Sequence, residues 1–397
     1  MMTELQQETS GSGPLAGVRV VEVAGIGPGP YACMMLADMG AEVIRIERPG
    51  GQRHNDAADP TLRSRRRVTL DLKQAVSVDV LLRLADRSDV LIEGFRPGVA
   101  ERLGFGPDVC RGRNARLVYG RMTGWGQDGP LAQAAGHDIN YLAISGLLHQ
   151  IGRRGGPPVP PLNALGDLGG GGLLLAFGVL CALHERHRSG QGQVVDAAII
   201  DGAVSFLSVC LGLGSSGLWR DAPGENFLTG AAHYYDTYQT RDGKWIAVGA
   251  IEPQFHALLL EKLGLDPADF AAGVGFTGRP YDELVNEIWP PLKARLADAI
   301  RRHTRDELQS MFEGTDACVT PVLDIHEAAA HPHLRARRGF VDVDGHLQNA
   351  PAPRFSRTPL PSPRSAGATA PDGAAVLLDA GIGEAEIAAL RRRGALG

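Results

Sequence analysis

The chain has 397 residues, 44% of them hydrophobic and 21% charged, with a net charge of −5. This is the composition of a globular protein long enough for two or three domains with ample core. The acidic balance argues against a nucleic-acid-binding protein, whose footprint is a basic domain.

The cysteines Cys33, Cys110, Cys181, Cys210 and Cys318 are scattered, odd in number and never in a C-x-x-C pair. That pattern suits reduced thiols in the cytoplasm better than a disulfide framework or a zinc ribbon. The opening "MMTELQQETSGSG" lacks an apolar signal segment and reads as a disordered leader over residues 1–13.

"GVRVVEVA" predicts a strand, "GIGPGP" a tight turn, "YACMMLADMGA" a helix and "EVIRIERP" a parallel strand, which together make a βαβ unit. The pattern continues with strands at "RRVTLDL", "DVLIEGFRPG" and "ARLVYGRMTGWG", and with a helix at "AVSVDVLLRLADRS". From 141 to 215 the reading is helical and apolar. "GGLLLAFGVLCAL" is taken as a buried core helix too short to span a bilayer, so no membrane is expected. "HYYDTYQTRDGKWIAVGAIEPQF" predicts a hairpin turning at Asp242-Gly243, and helices follow at 255–264, 281–299 and 304–313. "ACVTPVLDIHEAAAH" returns to strand and helix. A Pro/Ser-rich wrap over 359–375 and two short helices end the chain. The expected organisation is an α/β large domain over 14–215, a smaller α+β domain over 225–315, and a return to the large domain over 316–397.

Several constellations carry chemical alternatives. "GIGPGP" imitates a dinucleotide fingerprint, but Pro28 and Pro30 remove N–H donors and Pro30 stands where the third glycine belongs. A turn beside a site is the better reading, even with Glu47 downstream. "RSRRR" (63–67), with Arg48, Lys73 and Arg102, is either a solvated face or a phosphate-binding cluster. Asp167 precedes four glycines and a helix, so it either caps that helix or faces a ligand brought close to bare backbone N–H groups. In "AGHDINY", Asp138 reads as a helix cap and His137 as either a packed neighbour or a base. Glu252 ends an apolar strand. His184, His187, His331 and His333 have no third ligand within the pattern, and no metal is expected.

Taken together, "GVRVVEVAGIGPGPYACMMLADMGAEVIRIERPGG", "RRVTLDLK", "DVLIEGFRPGVAERLG", "RMTGWGQDGPLAQAAGHDINYLAISG", "GDLGGGG" and "AIEPQF" resemble the α-methylacyl-CoA racemase branch of the family III (CaiB/BaiF-type) CoA-transferases. The resemblance implies a Rossmann-like domain built from both chain ends, a smaller domain, and an interlocked homodimer. It implies an acyl-CoA thioester as substrate and no cofactor beyond the substrate's own CoA. His137 and Asp167 would be the two bases on opposite faces of the substrate's α-carbon, with Glu252 the carboxylate paired with the histidine. Arg48 and Arg102 match the CoA phosphate contacts; Leu70, Lys73 and Asp138 match further CoA or substrate contacts. The backbone of Asp167, Leu168 and Gly169 would stabilise the enolate. Within the superfamily the alternative is a CoA-transferase using Asp167 as nucleophile. An NAD-dependent oxidoreductase is disfavoured by the two prolines.

Overall fold

In the computed structural model of the protein, residues 12–51, 58–273, 278–366 and 373–396 are described. Residues 1–11 of the leader expected over 1–13 and residues 367–372 of the wrap expected over 359–375 therefore fall outside them. The chain forms two compact units. The first comprises 12–145, 162–205 and the segment from His333 onward; the second comprises Gly146–Pro161 and Phe206–Pro332.

The first unit is built on six parallel strands: β1 (Arg19–Val23), β2 (Glu42–Glu47), β3 (Arg65–Thr69), β4 (Val90–Glu93), β5 (Val118–Thr123) and β6 (Val194–Ala198). Their order is β3-β2-β1-β4-β5-β6, so the winding reverses between β1 and β4. That point opens a crevice at the carboxyl ends of the strands, where doubly wound folds bind ligands. Alternate strand residues feed two cores. Val21, Ile44, Ile46, Val68 and Leu91 pack on one face; Val20, Val43, Val90 and Val118 pack on the other, against the helices Pro28–Asp38 and Leu174–Ser189.

Five strands lie where the sequence places them. The sixth was hidden: β6 is five residues, "VVDAA", inside a stretch read as helical. It follows Gly190, whose left-handed backbone ends the preceding helix. A two-stranded hairpin, β10 (Phe340–Val343) with β11 (His346–Asn349), was also not foreseen.

Within "RSRRR", Arg63, Arg65 and Arg67 form neither a solvated face nor a phosphate site. Strand pleating turns Arg65 and Arg67 to one face of β3, and both are buried together with Arg63. Arg63 pairs with Asp38, Arg65 with Glu22, and Arg67 with Glu47 at 3.5 Å, while Arg66 reaches Glu42 and Asp379. Their carboxylates come from other elements, which local spacing cannot reveal. Glu47 is occupied in the same way by Arg45 at 3.2 Å.

Three of the four glycines after Asp167, Gly170, Gly171 and Gly172, serve packing. They lie in a wide helical turn, Ala164–Leu173, that runs into the Leu174–Ser189 helix. A Cβ on Gly171 would sit 2.9 Å from Pro28, one on Gly172 would sit 2.7 Å from the Pro28 carbonyl, and one on Gly170 would crowd Ala203 and Ile199. The continuous helix Ala164–Ser189 has 26 residues and is long and apolar enough to cross a membrane, which corrects the shorter helix read from sequence. Leu175, Val179 and Leu183 are nevertheless buried in this unit, and Arg186 is held by Asp89. Leu173, Phe177 and Leu180 remain exposed, so the helix is only partly the core helix expected.

The second unit holds an antiparallel sheet of β7 (Tyr235–Gln239), β8 (Trp245–Gly249) and β9 (Val319–Pro321), with the predicted turn at Asp242-Gly243. Because β9 pairs with β8, residues 316–332 belong here rather than to the returning segment. Helices Pro253–Leu263, Trp289–Ile300 and Arg305–Phe312 cover the sheet around Leu259, Leu296 and Leu308.

The close approach of the Ile199–Ser205 helix to the Asp167 turn rests on Gly202, where a Cβ would stand 2.1 Å from the Gly170 carbonyl oxygen. Gly202→Ala should destabilise the protein by about 1–3 kcal/mol, read as a lower urea midpoint with an unchanged slope.

Candidate active site

A cavity of about 1280 Å³ opens at the carboxyl ends of β1 and β4, at the reversal in strand order. Its wall includes the Gly25–Pro30 turn, Arg48, Leu70, Lys73, Arg96, Trp125, His137, Tyr141, Asn163 and Asp167. The spoiled fingerprint is therefore a turn beside the site, as its two prolines indicated. Gly27 has a φ of +68°, and a Cβ there would lie 3.2 Å from Asp167 Oδ2. Only glycine combines that backbone with that approach. Its signal in the sequence is a glycine directly before Pro28 at the start of a helix.

His137 is exposed and extended, the last residue before the Asp138–Ile144 helix. Its N–H donates to Asn140 Oδ1 at 3.0 Å, closing the first turn. The loop ahead of it is fixed by Tyr141, whose hydroxyl donates to the Gly136 carbonyl and whose ring meets Trp125 edge-on at 4.7 Å. Side chains at Gly124 or Gly136 would strike the Tyr141 ring. The imidazole thus stands at the cavity on a rigid base.

Asp167 is not a helix cap. It lies inside the wide turn, and the capping position belongs to Asn163. Its carboxyl is half-buried, with Asn163 Nδ2 at 3.5 Å from Oδ2. Burial raises its pKa from the ordinary aspartate value, the Asp138 carboxylate raises it further, and Asn163 and His137 pull it back. An acid poised upward in this way suits a group that must take up and release a proton.

Asp138 departs from both of its sequence readings. It does not line the cavity, and it does not cap its own helix. Its Oδ1 instead accepts the backbone N–H of Asp167 at 2.7 Å. The Leu168 N–H donates to the Asn163 carbonyl at 3.2 Å. Two of the three backbone donors expected to face an enolate therefore already have partners, and neither Leu168 nor Gly169 is on the cavity wall.

Of the basic residues, Arg48, Lys73 and Arg96 are exposed at the cavity, and no carboxylate pairs with them among the described residues. Arg96 was not singled out from the sequence; its place just beyond β4, at the strand-order reversal, was the available signal. Arg102 is absent from the wall; its guanidinium lies beside Gly98. Leu70 is a buried part of the wall, bridged to Leu396. Glu252 belongs to the second unit, exposed at the start of the Pro253–Leu263 helix. No cluster of three metal-ligating side chains occurs among the described residues.

A doubly wound α/β unit with a histidine, a raised carboxyl and exposed cations at its strand-order reversal defines a class of proteins that handle an anionic ligand through proton or acyl chemistry. The CoA-transferase family III model matches residues 15–372, and the chain belongs to that family. It is 45% identical over 375 residues to the mouse α-methylacyl-CoA racemase, covering 94% of this chain and 95% of that one. It is 44% identical over 354 residues to the human α-methylacyl-CoA racemase, covering 88% of each. A crystal structure of a CaiB/BaiF family protein from Brucella suis superposes with a TM-score of 0.76 at 25% identity, covering 93% of this chain and all of that one.

A carboxyl with a raised folded-state pKa is favourable to the fold while protonated, and that contribution is lost as pH rises through the folded value. Asp167→Asn removes this loss. The variant should be more stable than the wild type at pH 7, with its advantage shrinking at pH 4, as chemical denaturation at the two pH values would show.

Proposed function

We propose that the protein interconverts the (R)- and (S)-epimers of 2-methylacyl-CoA thioesters by moving the α-proton between two bases. The observation that carries this reading is the presence of His137 and the raised Asp167 on one cavity wall, fixed through adjacent segments. The likeness to the mouse and human racemases supports the same reaction.

In one direction the neutral His137 imidazole takes the α-proton while protonated Asp167 delivers a proton to the opposite face of the enolate. In the other direction ionised Asp167 takes the proton and the imidazolium delivers one. One proton is shared by the pair at the start of either direction, so the pH dependence belongs to the pair rather than to either residue. Asp167's raised pKa narrows the gap to an imidazole and eases this sharing. The resemblance supplies Glu252 as the carboxylate that orients His137. No step requires a redox group or a metal.

Arg48, Lys73 and Arg96 suit the phosphates of CoA, whose binding far from the reacting carbon can be used to position it. The wall also carries Ile26, Pro28, Trp125 and Ile199, an apolar surface for the acyl chain. Leu173, Phe177 and Leu180 recur at helical spacing and stay exposed. We read that stripe as surface covered in a homodimer. The free cysteines accord with a reducing cytoplasm.

In deuterated water, an (R)-2-methylacyl-CoA should acquire α-deuterium and become a mixture of epimers, as followed by NMR. His137→Ala and Asp167→Ala should each lower kcat by at least about 100-fold. CoA passing to an added carboxylate without α-exchange would instead establish the transferase reading, with Asp167 as nucleophile. Sedimentation should give a mass near twice the 42.1 kDa of the chain.

A further inference from the structure

We propose that the side chain of Asp138 is a positioning residue that locks the two base-bearing segments to each other and holds a negative charge against Asp167. This inference rests on the two-base reading above but extends it to a residue that does not line the cavity.

Asp138 directly follows His137 in the chain. Its Oδ1 accepts the Asp167 N–H at 2.7 Å, across 29 residues of sequence. One side chain and one hydrogen bond therefore join the backbone at the histidine to the backbone at the aspartate. The seat is tight: a Cβ on Gly166 would fall 2.1 Å from the same oxygen. Glycine at 166 is what lets the carboxylate reach the 166–167 peptide. The two bases come from the start of the Asp138–Ile144 helix and from the Ala164–Leu173 turn.

The link also carries charge. Among the described residues, Asp138 and His137 act on Asp167 through their charges, and Tyr141, from the same helix as Asp138, faces it as a neutral phenol. Asn163 is the hydrogen-bond donor from Asp167's own element, and Gly27 packs on it from the turn before the Pro28–Asp38 helix without a titratable group. Asp138 is the anion in that set. Like charge at short range disfavours ionisation of Asp167 and brings it closer to the histidine in proton affinity. Position and proton sharing thus depend on one carboxylate, by two separable routes.

Two substitutions separate them. Asp138→Asn keeps an oxygen for the Asp167 N–H and removes the charge. Asp138→Ala removes both. For the Asn variant, kcat at its pH optimum should stay within about threefold of wild type, since the positioning bond remains. The acid limb of its kcat/KM profile should move to lower pH, because Asp167 ionises more readily. For the Ala variant, kcat should fall by about 100-fold, the cost of misplacing a reacting group by about an ångström. Its KM for the acyl-CoA should stay within about threefold, because the side chain does not reach the cavity.

An Asn variant with an unmoved acid limb would overturn the electrostatic half of the proposal. An Ala variant with unchanged kcat would overturn the positioning half. A raised KM at unchanged kcat would make Asp138 a substrate contact and overturn both. A ¹³C carboxyl titration of Asp167 in wild type and Asp138→Asn, with the signal assigned by its loss in Asp167→Asn, reads the same coupling without turnover. Absence of α-exchange in the wild type would defeat the two-base reaction; an unshifted Asp167 titration would defeat the Asp138 proposal.

Discussion

The site depends on a charge network buried beneath it. Glu22 on β1 is 1% exposed and lies opposite Arg45 on β2, which in turn lies opposite Arg67 on β3. Glu22 pairs with Arg45 and, at 3.0 Å, with Arg65. The two guanidiniums then reach the turn that borders the cavity: Arg65 donates to the Pro30 carbonyl at 2.7 Å and Arg45 to the Gly25 carbonyl at 3.4 Å. One carboxylate therefore anchors both ends of the turn on which Gly27 meets Asp167. Breaking such a buried pair typically costs about 3–5 kcal/mol, because the orphaned charge cannot return to water. The arrangement is self-consistent only when the three strands are in register, so sheet pairing and the shape of the cavity mouth are specified together.

Above that floor, the cavity wall divides its polar groups by partner. Arg45, Glu47 and Glu22 line it but are bound to one another, whereas Arg48, Lys73 and Arg96 have no carboxylate partner among the described residues. Paired charges set shape, and unpaired cations attract an anionic ligand. The proposed bases sit apart from both: Asp167 stands against Gly27, and Tyr141, which fixes the loop before His137, stands against Gly124 and Gly136. Gly27, Gly124, Gly136 and Gly166 each make room for a side chain of this site or its support. Gly170, Gly171 and Gly172 of the "GGGG" run serve a different end, helix packing.

The second unit contributes a separately cored α+β body. Its interior includes His233 and His256, whose Nε2 atoms meet at 2.8 Å and whose pKa values burial depresses to about 3 and about 4. A pair so far below neutral holds its bond as uncharged imidazoles and is a structural contact rather than a reacting one.

The sequence by itself determined the local elements: strands at β-branched runs, helices between breakers, and the hairpin at Asp242-Gly243. It also singled out His137 and Asp167, because an imidazole before a core helix and a carboxylate before a glycine run are conspicuous at short range. Tertiary structure alone decided what those neighbours meet. Arg63, Arg65 and Arg67 proved internal because their counter-ions lie on the Pro28–Asp38 helix, β1 and β2. Asp138 proved to be an anchor because its acceptor faces a peptide 29 residues away. Strand β6 needed the free edge of β5 to be recognisable as a strand. Period and punctuation are local properties of a chain, whereas the partner of a buried charge is set by which segments the sheet order brings together.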